Sequence, residues 1–293
     1  MTEPAAGSIY DLGYRRYEGA RLGRSQALLA IYLSSLRSIF GLGRGTGAKF
    51  FPIGLAILAF IPAVIQLGIG AVITEDIEIF RAEDYYDYVR IILVLFIAAT
   101  APSLMGRDQR DRTLALYFSR AILRRDYVAA RLGALCTALL VLTLAPQLLL
   151  YIGNGLATND AWGYIRDEWT QVFPIVLSAI LLSAFMSAIG AAIGCQSPRR
   201  AWTTVAILGL FLLTGIVAGI LLELANDVVG SVAMLFSPFD VNTGATYWLF
   251  GLDLADTELG QSEIPGWGYA VAAVAWTAIA AAIVVARYER LEP

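Results

Sequence analysis

Between Asp108 and Tyr127 the chain interleaves basic, hydroxyl and apolar side chains, and no other stretch is as well equipped for chemistry. The residues concerned are Asp108, Arg112, Thr113, Leu116, Ser119, Arg120, Ile122, Arg124 and Arg125. What they can do is hold a partner. An arginine presents a planar fork of donors that fits carboxylates and backbone carbonyls, and the apolar residues between them add contact area. Helical spacing puts Thr113, Leu116 and Arg120 on one face, and a second short amphipathic piece is expected around Ile122–Tyr127. Seven arginines fall between residues 107 and 131, wedged between two long apolar runs. Charge retention beside a membrane accounts for arginines as such. It does not account for their alternation with apolar and hydroxyl residues.

Two smaller sets share this character. Tyr14, Arg15, Arg16 and Tyr17 lie in a glycine-punctuated opening segment, where tyrosine and arginine offer large, orientable contact area or serve equally as membrane-surface anchors. Arg199 and Arg200, in the short basic stretch Ser197–Arg200, form a possible second contact or a plain positive anchor.

Catalysis is poorly provided for. The chain has no histidine and two cysteines, Cys136 and Cys195, inside or at the end of apolar runs. Zinc, haem and most transition metals therefore lack their usual ligands, and no disulfide framework is legible. An intramembrane enzyme would need a nucleophile and base, and neither an intramembrane Asp pair nor a HisGluXxxXxxHis motif is present. Gly41–Lys49 has the glycine density of a phosphate loop, but Ala48 separates Gly47 from Lys49 and Phe50 follows, so the Gly-Lys-Ser/Thr ending is missing. The segment reads as a hinge before a helix. With no nucleotide motif and no soluble α/β domain, any use of ATP falls to another polypeptide.

The elements that must position these residues are membrane spans. At 58% hydrophobic, 15% charged and a mean hydropathy of +0.67, the chain lies outside the globular balance. It reads as an all-α integral membrane protein with six spans, near Phe50–Ile73, Val89–Leu104, Ala129–Ile152, Val172–Gly194, Thr203–Leu224 and Tyr269–Ala286. Ahead of them, Leu29, Leu33, Leu36 and Phe40 recur at helical spacing from Ser25 to Phe40 and predict an amphipathic helix flat in the interface. A seventh span there would spoil the charge asymmetry. With the opening segment in the cytoplasm, 18 of the 21 Lys and Arg lie on that side and 16 of the 24 acidic residues on the other. Six spans and the positive-inside rule then put both termini in the cytoplasm. The opening residues show no signal-peptide core or cleavage site. The expected organisation is a cytoplasmic segment over 1–49, a transmembrane domain over 50–287 with a cytoplasmic loop at 106–131 and an outer loop at 226–267, and a cytoplasmic tail over 288–293.

Within the spans, Pro52, Pro62, Pro102, Pro146 and Pro174 predict kinks. Ser183, Ser187 and Ala191 stack at four-residue intervals, a pattern that lets helices approach closely. Val228–Phe236 suggests a short helix dipping into the outer leaflet. Buried ionisable groups are few, Glu223 at a span end being the clearest, and Gln66 and Gln147 are neutral. An ATP-independent secondary transporter usually carries charges near the midplane, so this pattern argues against one.

The loop from Asp108 resembles the coupling loop of permease subunits of ABC-2 type transporters. The pattern there is an acidic residue, then Gly-Thr-Leu-Glu-Leu-Leu-Leu-Ser and, after one residue, Pro-Ile-Ser-Arg. Asp108, Thr113, Leu114, Leu116, Ser119, Ile122 and Arg124 fall in place, with Arg112 for Gly, Ala121 for Pro and Leu123 for Ser. These departures bear on the local turn and not on the register. The six-span layout, the interfacial helix and the long last outer loop are similar too, so the likeness covers nearly the whole chain.

The resemblance implies an ABC-2 (type V exporter-like) permease fold in a bacterial plasma membrane. It implies a loop helix received by a separate ATP-binding subunit, with Leu114, Leu116, Tyr117 and Ile122 holding it and Arg120, Arg124 and Arg125 meeting that partner. ATP and Mg2+ would sit on the partner, with no cofactor in this chain. A second permease subunit, identical or paralogous, and membrane lipids complete the expected partners, with no nucleic acid. The activity implied is export of a hydrophobic or amphipathic substrate. A signalling or maturation role for the same complex is the alternative, since fold alone does not fix function.

Overall fold

The computed structural model describes residues 23–43, 45, 47–72, 81–119, 122–158, 161–224, 227–255 and 257–290. Among them the regular structure is helical. The first half holds α1 (Arg24–Ile39), α2 (Gly47–Val72), α3 (Tyr85–Met105), α4 (Arg107–Arg110), α5 (Leu114–Phe118) and α6 (Arg124–Ala157). The second holds α7 (Ala161–Asp167), α8 (Val172–Gly194), α9 (Arg200–Leu224), α10 (Asp227–Met234), α11 (Pro238–Leu249) and α12 (Gly266–Arg290). Six of these, α2, α3, α6, α8, α9 and α12, are long and apolar enough to cross a membrane. They fall on the six expected apolar runs.

The third crossing is longer than its apolar run. Asp126 accepts the Leu123 backbone N–H at 3.1 Å, which starts α6 at Arg124. The piece expected around Ile122–Tyr127 is therefore not a separate element. Its helical part is the first turn of α6, because a carboxylate at the third helical position satisfies a backbone donor at the helix start.

α8 forms the centre of the bundle, against α3, α6 and α12. Small residues make this possible. A Cβ on Gly190 would come within 3.2 Å of Ile97, and one on Gly194 within 3.0 Å of the Ala101 carbonyl. Polar groups in the spans satisfy one another, as hydrocarbon demands. Ser183 Oγ lies 3.1 Å from Thr143 Oγ1, and Tyr86 reaches both Gln147, at 3.3 Å, and Ser178, at 3.2 Å. Pro102 cannot donate to the Ala98 carbonyl one turn back. Thr204 Oγ1 of α9 donates to it instead, at 2.9 Å.

At the opposite end from α4 and α5, α10 folds back on α9, so closely that a Cβ on Gly230 would meet Leu222 Cα at 2.7 Å. Ser237 then caps α11, with Pro238 in its first turn. α11 lies on α12, where a Cβ on Gly244 would be 2.5 Å from the Tyr269 ring. Gly244→Val overpacks that contact and is expected to lower the apparent melting temperature in detergent by about 3–10 °C. Gly219→Ala, where nothing lies within 4 Å of the added carbon, should leave it unchanged or raise it slightly. Equal melting temperatures for the two variants would contradict the packing described.

α1 packs on α6 through a different stripe from the one its leucines suggest. Ile31, Ser35 and Ile39 are buried, with Leu28, Tyr32 and Leu36 packed beside them, whereas Leu29 and Leu33 are exposed. Tyr32 donates to Thr137 at 3.0 Å. A helix that is apolar on two sides can serve bundle and lipid together, which fits an interfacial position.

Candidate functional site

Four segments converge at the arginine-rich end: α4 and α5 between the second and third spans, the turn after α8, the start of α6 and the end of α12. The starting point is the end of α3, whose last carbonyls have no helical donor. Arg131 of α6 donates to the Leu104 carbonyl at 3.2 Å. Tyr288 of α12 donates to the Met105 carbonyl at 2.8 Å. A Cβ on Gly106, the next residue, would lie 2.9 Å from the Pro102 carbonyl and 3.3 Å from that of Ser197, so the two basic loops meet there. Gln109 ties them by donating to the Cys195 carbonyl at 3.2 Å.

Asp108 is turned into this junction. Its carboxylate accepts from Tyr127 at 2.6 Å and from the Arg131 guanidinium. The ion pair is buried, with side-chain exposures of 11% for Asp108 and 9% for Arg131. Expected as a contact to a partner protein, Asp108 proves instead to be an internal anchor. An arginine about two turns into α6 competes for it from inside the bundle. Ile122 is likewise buried.

Above the anchor, α5 rests on aromatic rings. Tyr117 and Phe118 lie 5.4 and 5.9 Å from the Tyr127 ring, and Tyr127 lies 5.5 Å from Tyr288. Edge and tilted ring pairs at these separations add to the area they bury. Leu114 is buried beneath the helix. Leu116, on the other side, is 69% exposed. A short helix is thus held on one face and open on the other.

The remaining expected contacts divide. Thr113 precedes α5, and its carbonyl accepts the Leu116 N–H at 3.0 Å. Ser119 closes the helix with its hydroxyl on the Leu116 carbonyl, at 3.0 Å. Arg124 and Arg125, expected to meet acidic or backbone groups on a partner, both reach Glu289 of this chain. Arg125 pairs with Glu289 at 2.7 Å, while Arg124 donates to the Glu289 carbonyl and covers the Phe118 ring at 5.5 Å. Arg199 stays on the basic end, its N–H on Ser197 Oγ at 3.2 Å. Arg200 turns towards α3, reaching the Ala99 carbonyl at 3.4 Å. Arg120 and the Tyr14, Arg15, Arg16 and Tyr17 set lie outside the described residues.

Arg112 stands where the resembled motif carries glycine, and it has φ +51°, the one positive-φ residue other than glycine among those described. That left-handed conformation costs an L-residue about 1–2 kcal/mol, partly offset on replacement by the freedom glycine loses on folding. Arg112→Gly is therefore expected to raise the apparent melting temperature by about 1–3 °C. A lower value would show that the arginine side chain stabilises the turn.

The sequence reading missed Tyr127, Arg131, Tyr288 and Glu289 as parts of this site. Arg131, a charge just inside an apolar run, was a usable signal; Tyr288 and Glu289 offered none. α1 joins as well, Arg24 gripping Asp126 through two bonds of 2.7 Å. This hydrogen bond and the opposite charge raise the Arg24 pKa further above its ordinary value. Burial pushes the Cys195 thiol up to about 11, so it stays protonated and unreactive. At the other end, burial and the Asp84 hydrogen bond, 2.6 Å long, raise the Tyr247 phenol.

Among the described residues no group of three or more His, Cys, Asp or Glu side chains is placed to hold a metal ion. The arrangement is a short, half-exposed helix joined through rings and a buried ion pair to α3, α6 and α12. No curated protein matches the chain. The family described as ABC-2 family transporter protein matches it over residues 65–292, which takes in α3 to α12 and every part of the site but Arg24. The chain accordingly belongs to the ABC-2 transporter family and is a multi-pass permease subunit of an ABC transporter.

Proposed function

We propose that ATP binding and hydrolysis on a separate subunit move this chain through α5, and that the movement drives export of a hydrophobic or amphipathic substrate. Permeases of this family work with a separate ATP-binding subunit, so the question is where force enters. The observation that carries the reading is the two-sided character of α5. Leu116 is 69% exposed while Leu114, Tyr117 and Phe118 hold the helix to the bundle. A displaced α5 drags Tyr127, Tyr127 shares Asp108 with Arg131, and Arg131 also holds the Leu104 carbonyl, so α3 and α6 move together and α12 follows through Tyr288.

In this reading the arginine-rich end faces the cytoplasm, with both chain ends on that side of a bacterial plasma membrane. Consistent with it, Arg24 near one end and Glu289 near the other both bind the start of α6. ATP and Mg2+ occupy the partner. Two permease chains, identical or paralogous, pair around a two-fold axis, and the substrate path between them is lined by apolar and small side chains. The test is mass spectrometry of what co-purifies with the tagged chain from gently solubilised native membranes. A stoichiometric protein with a Walker motif supports the reading. Its reproducible absence, with the permease folded and intact, would sink it.

A further inference from the structure

At the end opposite α4 and α5 lies a pocket of about 600 Å³, a volume within the range of small-molecule sites. The residues leading into α3 form one wall, α6 and α7 a second, and the end of α11 a third. These walls are tied to one another directly. Gln147 of α6 donates to the Ala82 carbonyl at 2.9 Å, and Tyr247 of α11 donates to Asp84 at 2.6 Å. Close packing also fixes the aromatic lining. A Cβ on Gly155 would stand 3.1 Å from the Tyr164 ring, and one on Gly266 would stand 2.9 Å from Trp248 Cβ. The pocket is therefore formed without a ligand to organise it.

Its lining combines aromatic rings with a carboxylate. Tyr151, Tyr164 and Trp248 share it with Glu83. The rings of Tyr151 and Tyr164 lie 5.8 Å apart and tilt by 46°, so they make a corner of two aromatic surfaces. An aromatic face carries partial negative charge and attracts a cation, most strongly where water is displaced. Glu83 pairs with no cation among the described residues. It is partly buried, whereas Arg81, the one cation among the described lining residues, is exposed and so screened by water. The field beside Trp248 is negative as well. Burial raises the Tyr247 phenol, and Asp84, through its hydrogen bond and charge, and then Asp87 and Glu83 raise it further. A neutral sugar fits this lining less well, because two of its three amides are engaged. Gln147 is bound at both ends, by Ala82 and by Tyr86 at 3.3 Å, and Gln171 donates to Glu168 at 2.6 Å.

We propose that this pocket binds an organic ammonium ion, its charge held between Glu83 and the rings of Tyr151, Tyr164 and Trp248. The site is independent of the ATP-coupling reading, because its readout is binding to this chain without a partner subunit. Fluorine NMR of the chain labelled with 5-fluorotryptophan in dodecyl maltoside tests it, with the Trp248 resonance assigned by its loss in Trp248→Phe. The probes are choline, its uncharged isostere 3,3-dimethyl-1-butanol and the zwitterion glycine betaine, each titrated separately. Choline should shift that resonance and bind about 10-fold more tightly than the alcohol, as a cation on aromatic faces does. Glu83→Gln should weaken choline about 5-fold with the melting temperature unchanged, and Arg81→Gln should leave choline binding unchanged or strengthen it. Tyr164→Leu should weaken choline, whereas Tyr164→Phe, which keeps the ring, should not. Equal affinity for choline and the alcohol, choline affinity unchanged in Glu83→Gln, or the same shift with potassium chloride would each overturn the proposal. So would glycine betaine binding more tightly than choline and losing that affinity in Arg81→Gln, which would assign the pocket to a zwitterion.

Discussion

Asp108→Ala should be the most damaging single substitution where α3, α6 and α12 meet, costing about 3–5 kcal/mol, because it leaves the Arg131 charge buried without its partner. For a chain of this size that is an apparent melting temperature lower by about 6–15 °C, with a corresponding loss of folded yield. The same physics predicts a rescue. Taking two charges out of water is expensive, and an apolar pair of similar volume often replaces a buried ion pair at no loss. Asp108→Leu with Arg131→Met should therefore recover most of the stability that either change alone removes. Thermal unfolding of the four chains in one detergent gives the coupling energy directly. Additive losses would show that the two side chains do not share one buried site. Tyr127→Phe, which removes only the 2.6 Å donor to Asp108, should cost less, about 1.5–3 kcal/mol for a bond to a charged group.

Leu116→Asp should do the reverse, abolishing coupling while sparing the fold. Leu116 is 69% exposed and its neighbours Leu114, Tyr117 and Phe118 carry the packing of α5. A carboxylate there costs the free chain little, since surface substitutions away from packed features lie within about 0.5 kcal/mol. In a complex it would be buried in an apolar groove. An unpaired charge so placed costs at least several kcal/mol, enough to lower ATPase recruitment by two or more orders of magnitude. Arg120→Glu with Arg124→Glu should also impair recruitment, although Arg124 carries a second burden through Glu289 and Phe118. The expected pattern for Leu116→Asp is an unchanged melting temperature with lost co-purification and lost ATP-driven transport. Normal recruitment in a folded Leu116→Asp chain would place the force-bearing contact elsewhere.

The parts of this account that were legible in the sequence are those with a local, repeated signature. A crossing needs about 20 apolar residues because lipid offers no partner for a bare backbone, and all six crossings could be placed on that ground. α1 was legible as a helix, but its bundle face was not. Its leucines point in several directions, and the buried stripe includes Ser35, a residue that hydropathy assigns to the surface. The register of the loop from Asp108 to Arg124 could be set, whereas the direction of each side chain could not. Tyr288 meets Met105 across 183 residues, and Arg125 meets Glu289 across 164. Pairings at such separations leave no periodic trace. Arg112 is instructive for the same reason. Its type gave no hint of a left-handed backbone, and only the motif position suggested that glycine would suit it.

The most direct test of the force-bearing role of α5 is photocrosslinking in native membranes from a photoreactive residue at position 116, with position 114 as the buried control. An adduct between position 116 and one protein bearing a Walker motif is expected, with none from position 114. Adducts to lipid alone from position 116, while that ATP-binding protein still co-purifies with the permease, would contradict it.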